Sequence, residues 1–251
     1  MKVAALFTDY DGTIAPMGVP RRESNVPEAL RSRLVRLSSR IPVAVITSKD
    51  LAFIRPRTTF ARGWACAMGM EISLADGRRH IMDCAPEASV PLGMAENLVP
   101  NGAILEKKMA SDGRALGLSI DWTGAPRVSR REVDSLVSAL KDNGLYVRQE
   151  EGETFVDAFC ANTDKGVALV SLKKMLGVEG AVMYLGDSVH DNDAFDLAEF
   201  PVGVSHGQRT KELRCRCLVE YGQVATLLDH LLEQDLDFVY PPEVPARGKS
   251  R

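Results

Sequence analysis

The chain of 251 residues lacks an excess of either charge and any long apolar run. Its 31 Lys and Arg residues nearly balance 34 Asp and Glu residues, for a formal net charge of −3, which disfavours binding to nucleic acid through a broad basic face. No stretch approaches the roughly 18 apolar residues of a membrane span. The apolar start of the chain is interrupted by Asp9, too early for a signal peptide. We therefore predict a cytoplasmic protein that binds neither membranes nor nucleic acid, and we infer no obligate protein partner.

Cysteine is scarce, and its placement does not indicate a metal site. The five cysteines are an odd number in a chain too long to need disulfide stapling. Cys215 and Cys217 have no second CxxC or His pair that would complete a zinc site. We predict that all five are structural thiols, because a free cysteine usually behaves as a small buried hydrophobe.

The remaining composition is that of an ordinary globular protein, with 45% hydrophobic and 26% charged residues. Near both ends of the chain, short apolar runs such as 3–8, 43–46 and 181–185 alternate with helical patterns. This alternation predicts a doubly wound, mostly parallel-sheet (Rossmann-like) α/β core. The Pro-rich tail from Tyr240 is predicted to be loosely held.

The middle of the chain has a different pattern. Residues 116–122 alternate as in a half-solvated antiparallel strand, and Ser129 with Glu132 forms a capping box before an amphipathic helix. We therefore predict an inserted α+β cap domain at residues 78–159, with the α/β core formed by residues 1–77 and 160–251. A further strand of the predicted core, at residues 64–70, precedes the insert.

Acidic residues follow two of the predicted buried strands. Asp9 and Asp11 come after the first strand, and Asp187 and Asp191 come after a strand far downstream. In parallel sheets, ligands bind beyond the carboxyl ends of the strands, and clustered carboxylates are tolerated with a cation such as Mg²⁺. Each cluster alone is also typical of a solvated turn. An EF-hand calcium loop is disfavoured, because Pro20 stands where that loop needs Glu.

Two more features fit an anionic ligand at the same edge. Thr47 and Ser48 end the strand at 43–46, where a hydroxyl can donate to a phosphoryl oxygen or cap a helix. Lys165 begins a helix, which is unusual because the helix dipole favours cations at the other end. A bound anion or acidic side chains opposite Lys165 would explain its position at the start of the helix. The alternative is that Lys165 is an ordinary surface lysine. His190 and His206 lack the spacing of transition-metal ligands.

The motifs that carry these residues resemble, in order, the four motifs of the haloacid dehalogenase superfamily. They are Asp9-Tyr10-Asp11-Gly12-Thr13, Thr47-Ser48, Lys165-Gly166 and Gly186-Asp187-Ser188-Val189-His190-Asp191. Each motif is short, and their order over most of the chain makes the resemblance specific. The run from Asp9 to Pro16 and Gly69-Met70-Glu71 are most similar to trehalose-6-phosphate phosphatases.

The resemblance implies a Mg²⁺-dependent phosphatase that hydrolyses a sugar phosphate, possibly trehalose-6-phosphate, through an aspartyl-phosphate. Asp9 would be the nucleophile and Asp11 the general acid and base. The resemblance places Mg²⁺ on Asp9, the backbone carbonyl of Asp11, Asp187 and Asp191. Thr47, Ser48 and Lys165 would bind the phosphoryl oxygens.

The insert would supply specificity, with Glu106, Lys107, Lys108 and Asp157 as candidate substrate residues in the cap. A solvated charged strand is the alternative for Glu106, Lys107 and Lys108. Two other functions remain open: a phosphosugar mutase, which returns the phosphate to a sugar, and a non-catalytic sugar-phosphate binding module. Release of free phosphate would separate the phosphatase from both.

Overall fold

The computed structural model describes residues 1–84, 89–125, 128–149, 152–207 and 212–240. The predicted loose tail beyond Tyr240 lies outside these ranges. In chain order the strands and helices are β1 Val3–Thr8, α1 Glu28–Ser38, β2 Val43–Ile46, α2 Leu51–Ile54, β3 Gly63–Cys66, β4 Glu71–Leu74, β5 Arg79–Ile81, α3 Ser89–Ala95, β6 Ile104–Met109, β7 Ala115–Asp121, α4 Arg130–Asp142, β8 Tyr146–Arg148, β9 Phe155–Phe159, α5 Lys165–Leu176, β10 Ala181–Gly186, α6 Asn192–Phe195, β11 Phe200–Ser205, β12 Cys217–Glu220 and α7 Val224–Glu233.

The larger sheet has eight strands in the order β12-β11-β10-β1-β2-β3-β4-β5. The strands from β12 to β3 pair in parallel, and β4 and β5 add an antiparallel edge. One apolar cluster joins this sheet to α1 and α7, and another joins it to α5 and α6. Helices therefore cover both faces, which confirms the predicted doubly wound α/β core. Every helix within the described ranges is too short or too polar to span a bilayer.

The smaller sheet, called the cap sheet below, is antiparallel with the order β6-β7-β9-β8. It packs on α4, and Ser129 and Glu132 form the predicted capping box at the start of that helix. The last strand of the larger sheet, β5, ends at Ile81, a few residues inside the range predicted for the insert. The domain ranges 1–77, 78–159 and 160–251 stay a prediction.

The predicted strand at residues 64–70 is shorter than expected. The strand β3 ends at Cys66, and Ala67, Met68 and Gly69 then adopt left-handed φ angles of 46°, 58° and 94°. The amide of Ala67 donates to the carbonyl of Lys49, and the amide of Met68 donates to that of Thr47. The turn is therefore held by contacts with the loop after β2, which local sequence preference does not reveal.

The prediction that all five cysteines are free thiols is wrong for two of them. Cys84 and Cys160 form a disulfide, with their Cα atoms 5.6 Å apart. Cys84 follows β5 and Cys160 follows β9, so the bond ties together the two connections that flank the cap sheet. The pairing could not be deduced from spacing, because 76 positions separate the two residues. Cys66, Cys215 and Cys217 are free, as predicted.

Reduction of this disulfide is expected to lower the free energy of unfolding by about 2–4 kcal/mol, since the cross-link restricts a long loop of the unfolded chain. Urea unfolding with and without dithiothreitol measures the change. A Cys84→Ser/Cys160→Ser variant should unfold like the reduced protein and be insensitive to the reductant. Equal stability of the oxidised and reduced wild-type protein would contradict the expectation.

Candidate active site

Two neighbouring strands bring the predicted acidic residues together. In the parallel pair of β1 and β10, Thr8 aligns with Leu185, and the amide of Asp9 donates to the Leu185 carbonyl at 2.8 Å. The residues that follow both strands therefore lie at the same edge of the sheet. Carboxylate oxygens of Asp9, Asp187 and Asp191 all lie within 4.8 Å of one another.

Lys165 lies inside this cluster, with its side chain 4% exposed. Its Nζ is 2.9 Å from Asp9 Oδ1 and 2.7 Å from Asp191 Oδ1. Asp164 caps the helix by accepting a hydrogen bond from the Val167 amide, which fixes Lys165 as the first residue of α5. Burial alone would lower the pKa of Lys165, but the two carboxylates outweigh burial and raise it. Facing acids thus explain the unusual lysine at a helix start.

Both carboxylate oxygens of Asp191 are occupied by protein donors. Oδ1 accepts from Lys165 Nζ and from the Tyr184 hydroxyl, at 2.7 and 2.6 Å. Oδ2 accepts from the amides of Asp187 and Ser188 and from the Ser188 hydroxyl, at 3.0–3.1 Å. Burial would raise the pKa of Asp191, but Lys165 and these donors lower it. A carboxylate has about four lone-pair sites, so five donors leave little capacity for direct contact with a metal.

Asp9 and Asp187 are in the opposite electrostatic situation. Burial, together with Asp191 and Asp187, raises the pKa of Asp9 well above its usual value in spite of Lys165. Burial and the nearby Asp191 raise the pKa of Asp187 to about 7. The protein alone thus supplies too little positive charge for three ionised carboxylates. A hard divalent cation fits this donor set, because it prefers oxygen ligands and would remove the repulsion.

The turn after β1 orients Asp187. Gly12 has a φ of +78°, and a Cβ at this position would lie 2.1 Å from Asp187 Oδ2, so only glycine fits. The hydroxyl of Thr13 donates to Asp187 Oδ1 at 3.2 Å. His206 Nε2 is 2.7 Å from the Gly12 carbonyl, and His190 Nε2 is 3.3 Å from Glu153. His206 Nε2 also lies 3.9 Å from Asp187 Oδ2, but within the described ranges neither histidine is among the three groups placed to hold a metal ion.

The predicted phosphate-binding hydroxyls lie at the same edge. Strand β2 pairs with β1 through Val45 and Thr8, which places Thr47 beside the acidic residues. Thr47 is buried, and its Oγ1 accepts from the amide of Lys49 at 3.2 Å, which leaves its hydrogen available to an anion. The cap of α2 is Asp50, so the helix-capping alternative for Thr47 does not hold. Ser48 is half-buried next to Thr47.

Asp11 stands apart from the carboxylate cluster, with 39% of its side chain exposed. The Ser24 hydroxyl donates to Asp11 Oδ1 at 2.9 Å, and Lys49 Nζ lies 3.6 Å from Oδ2. Burial and the ammonium group of Lys108 lower the pKa of Lys49. The two acids of the first motif therefore occupy different environments, one buried and ion-paired, the other open to solvent.

A row of polar side chains crosses the cap sheet. Strand pairing aligns Glu106 with Ser119, Ser119 with Asp157, and Asp157 with Arg148. Because side chains alternate along a strand, Lys108 shares the face of Glu106. The Lys108 side chain is 1% exposed and contacts Glu106. Burial lowers the pKa of Lys108 to about 8.

This face of the cap sheet contacts the core beside the acidic cluster. Glu106 pairs with Arg21, and its Oε2 lies 3.7 Å from Lys49 Nζ. The structure thus brings three of the four predicted cap residues, Glu106, Lys108 and Asp157, to this face. Of the two lysines, Lys107 is exposed and Lys108 is buried.

Sequence reasoning missed three residues around Asp11 and Glu106, namely Arg21, Ser24 and Lys49. Strict alternation along β6 would have separated Lys108, on the face of Glu106, from Lys107. Lys49 directly follows the hydroxyls at the end of β2, which was a usable signal. Arg21 and Ser24 lie in and after a short 3-10 turn, Arg21–Glu23, where no periodic pattern points to them.

No profile of a known protein family matches the chain. Among curated proteins, the chain is 29% identical to the trehalose-phosphate phosphatase of Mycobacterium tuberculosis H37Rv over 218 residues, 80% of this chain and 54% of that protein. It is 27% identical to the trehalose-phosphate phosphatase of Mycobacterium avium over 200 residues, 76% of this chain and 50% of that protein. The chain therefore spans about half the length of the curated relatives it matches.

Solved structures share the fold at low sequence identity. A haloacid dehalogenase-like hydrolase from Bacteroides thetaiotaomicron superposes with a TM-score of 0.71 at 14% identity, covering 92% of this chain and 100% of that one. The C-terminal domain of trehalose-6-phosphate phosphatase from C. albicans has a TM-score of 0.71 at 16% identity and covers 92% of each chain. The resemblance predicted from the motifs is confirmed.

Proposed function

We propose that this chain, which has the fold of the haloacid dehalogenase-like hydrolases, is a phosphoric monoester hydrolase acting on a sugar phosphate through an aspartyl-phosphate. The observation that carries the proposal is the buried contact of Asp9 with Lys165, at 2.9 Å, beside Asp187 and Asp191. A carboxylate held by a cation at the carboxyl edge of a parallel sheet can attack a phosphoryl group.

Asp9 is the proposed nucleophile. It lies directly after β1, and Lys165 holds its Oδ1, so its second oxygen is the one that can attack phosphorus. Lys165, Thr47 and Ser48 would bind the equatorial oxygens of the phosphoryl group, because these residues lie at the same edge and can donate hydrogen bonds or charge.

The donor set fits Mg²⁺, and Asp9, Asp187 and the backbone carbonyl of Asp11 are the groups that would hold it. Asp191, which already accepts from five protein donors, would act on the ion mainly through its negative charge and by holding Lys165 and the backbone of Asp187 in place. When bound, the ion would neutralise the repulsion between the nucleophile and an anionic ester. Titrating the metal-free protein with MgCl₂ should therefore raise its melting temperature.

Asp11 is the proposed general acid and base. Its Oδ1 is occupied by Ser24, so Oδ2 would give a proton to the leaving alcohol oxygen as the P–O bond breaks. In the second step, Oδ2 would take a proton from the water that attacks phosphorus and releases Asp9. General acid–base catalysis of this type contributes about 10²–10⁴ in rate.

The polar face of the cap sheet supports a sugar as the leaving group. Glu106, Lys108 and Asp157 offer charged hydrogen-bonding groups beside Asp11, in keeping with the predicted role of the cap in binding substrate. Lys107, also predicted to bind substrate, alternates with Glu106 and Lys108 along β6. It would contact the substrate only if the opposite face of the cap sheet turned toward the core. The curated relatives named trehalose-phosphate phosphatase favour trehalose-6-phosphate as the first candidate substrate.

A screen for phosphate release tests the proposal. Purified protein is incubated with trehalose-6-phosphate, glucose-6-phosphate and other sugar phosphates, with MgCl₂ or with EDTA. We expect phosphate release that needs Mg²⁺ and is fastest for one sugar phosphate. Transfer of the phosphate to a second sugar would indicate a mutase, and saturable binding without turnover would indicate a binding module. Equal activity in EDTA would contradict the metal site.

A further inference from the structure

Both carboxylate oxygens of Asp11 have neighbours that the four motifs do not explain. We propose that Ser24 and Lys49 are positioning residues for Asp11, and that Lys49 links Asp11 to Glu106 of the cap sheet. The inference rests on the proposed function, because it concerns the acid that protonates the leaving group. The supporting observations are the contact of Ser24 with Asp11 and the contacts of Lys49 with Asp11 and Glu106.

Ser24 is a rigid donor to Asp11. The residue is 3% exposed, and its carbonyl accepts hydrogen bonds from the Tyr10 hydroxyl at 2.7 Å and from Arg57 Nε at 3.2 Å. Its own hydroxyl donates to Asp11 Oδ1 at 2.9 Å. Because Ser24 is anchored through its backbone, its hydroxyl fixes one oxygen of Asp11 and leaves Oδ2 as the oxygen that exchanges the proton.

Lys49 lies between the acid and the cap. Its Nζ is 3.6 Å from Asp11 Oδ2 and 3.7 Å from Glu106 Oε2, beyond the range of a direct hydrogen bond to either. Its own amide donates to Thr47 Oγ1, so the start of its side chain is held at the end of β2. Arg21, which pairs with Glu106 and lies 3.6 Å from Asp50, is the second core cation on this face.

The neighbours of Lys49 place it at the junction of Asp11 and the cap sheet. Its ammonium group is nearly equidistant from Asp11 Oδ2 and Glu106 Oε2, and it lies 5.8 Å from the centre of the Phe53 ring. Glu106 also pairs with Arg21 and Lys108, so it is held in place independently of Lys49. Lys49 therefore orients Asp11 Oδ2 relative to the polar face of the cap sheet.

Comparison of two substrates isolates this role. Sugar phosphates have an alcohol leaving group that needs a proton, whereas p-nitrophenyl phosphate releases a stable phenolate and needs no proton from Asp11 in the first step. Both substrates share the second step, in which Asp11 is the proposed base, so release of the leaving group is measured in the first turnover by rapid mixing. For Ser24→Ala we expect first-turnover release of the sugar to slow about 10- to 100-fold, the range for a lost hydrogen bond to a charged group. Its first-turnover release of nitrophenolate should stay within about twofold of wild type.

Lys49→Met should slow first-turnover release of the sugar and raise KM on the sugar phosphate, since it removes a contact with Asp11 and one with the cap, and should leave first-turnover release of nitrophenolate unchanged. Lys49→Arg should restore most of the sugar-phosphate activity. The matched controls are Ser32→Ala on the exposed face of α1 and Lys173→Met on α5, which should match wild type on both substrates.

The results separate the possibilities. A loss confined to first-turnover release of the sugar supports the positioning roles. An equal loss of sugar and nitrophenolate release in the first turnover, or no loss of either, would overturn them, and thermal unfolding of each variant identifies damage to the fold. If the wild-type protein releases phosphate from neither substrate, the proposed function itself fails.

Discussion

Replacement of Asp9 by Asn is expected to abolish phosphate release while the fold is retained. Asn keeps the size of Asp9 and can still accept a hydrogen bond from Lys165, but its amide is not a nucleophile. Removing the nucleophile from an enzyme with a covalent intermediate typically costs about 10⁴–10⁶ in kcat. The measurement is phosphate release in MgCl₂ with the best substrate of the screen, and normal turnover by Asp9→Asn would refute the assignment.

The same variant has an expected effect on stability. Because the pKa of Asp9 and of Asp187 is raised in the folded protein, ionising them costs stability. The contribution of these two groups to stability is fully present at a pH below the pKa that they have in the unfolded chain. It is lost as the pH rises through their pKa in the folded protein, which for Asp187 is about 7. Metal-free Asp9→Asn should therefore lose less stability than wild type between about pH 4 and pH 7. Melting temperatures across this range, with EDTA present, measure the difference.

Replacement of Lys165 by Met should have the largest effect on stability. Lys165 is the cation shared by Asp9 and Asp191, and all three side chains are buried. Removing one partner of a buried ion pair costs about 3–5 kcal/mol, because it leaves an uncompensated charge. Activity should be lost as well, since the phosphoryl oxygens lose a cation. Urea unfolding and phosphate release measure the two effects.

Lys173→Met is the matched control for this change, because it removes a lysine from the same helix. Lys173 pairs with Glu199 near the surface, with the two side chains 27% and 39% exposed, and such a pair contributes about 0–1 kcal/mol. Mg²⁺ should restore part of the stability lost in Lys165→Met, because it neutralises the same carboxylates. A loss no greater than that of Lys173→Met would contradict the buried role of Lys165.

The part of the site that sequence reasoning could predict follows from the topology of a parallel sheet. Asp9, Thr47 and Asp187 each come just after a strand, and parallel neighbours place such residues at one edge whatever the surrounding packing. The helix that begins at Lys165 could be predicted from its apolar spacing and from Gly177 at its end. These signals are local, so they needed no knowledge of the rest of the fold.

Other features depended on contacts between distant segments. The left-handed turn at Ala67 and Met68 is held by the carbonyls of Lys49 and Thr47, and the Cys84–Cys160 pair joins positions 76 apart. Local patterns do not report such long-range constraints.

The sequence by itself determined the fold class, the superfamily resemblance and the strand-end residues of the proposed chemistry, because periodicity and motif order are properties of short segments. Only the tertiary structure decided how charge is distributed among the acids. Asp191 accepts hydrogen bonds from five donors, and Asp187 and Asp9 are buried close to other carboxylates. Asp11 lies between Ser24 and Lys49. The physical reason is that burial and the distance to a neighbouring charge set the state of a carboxylate, and both arise only when distant segments of the chain pack together.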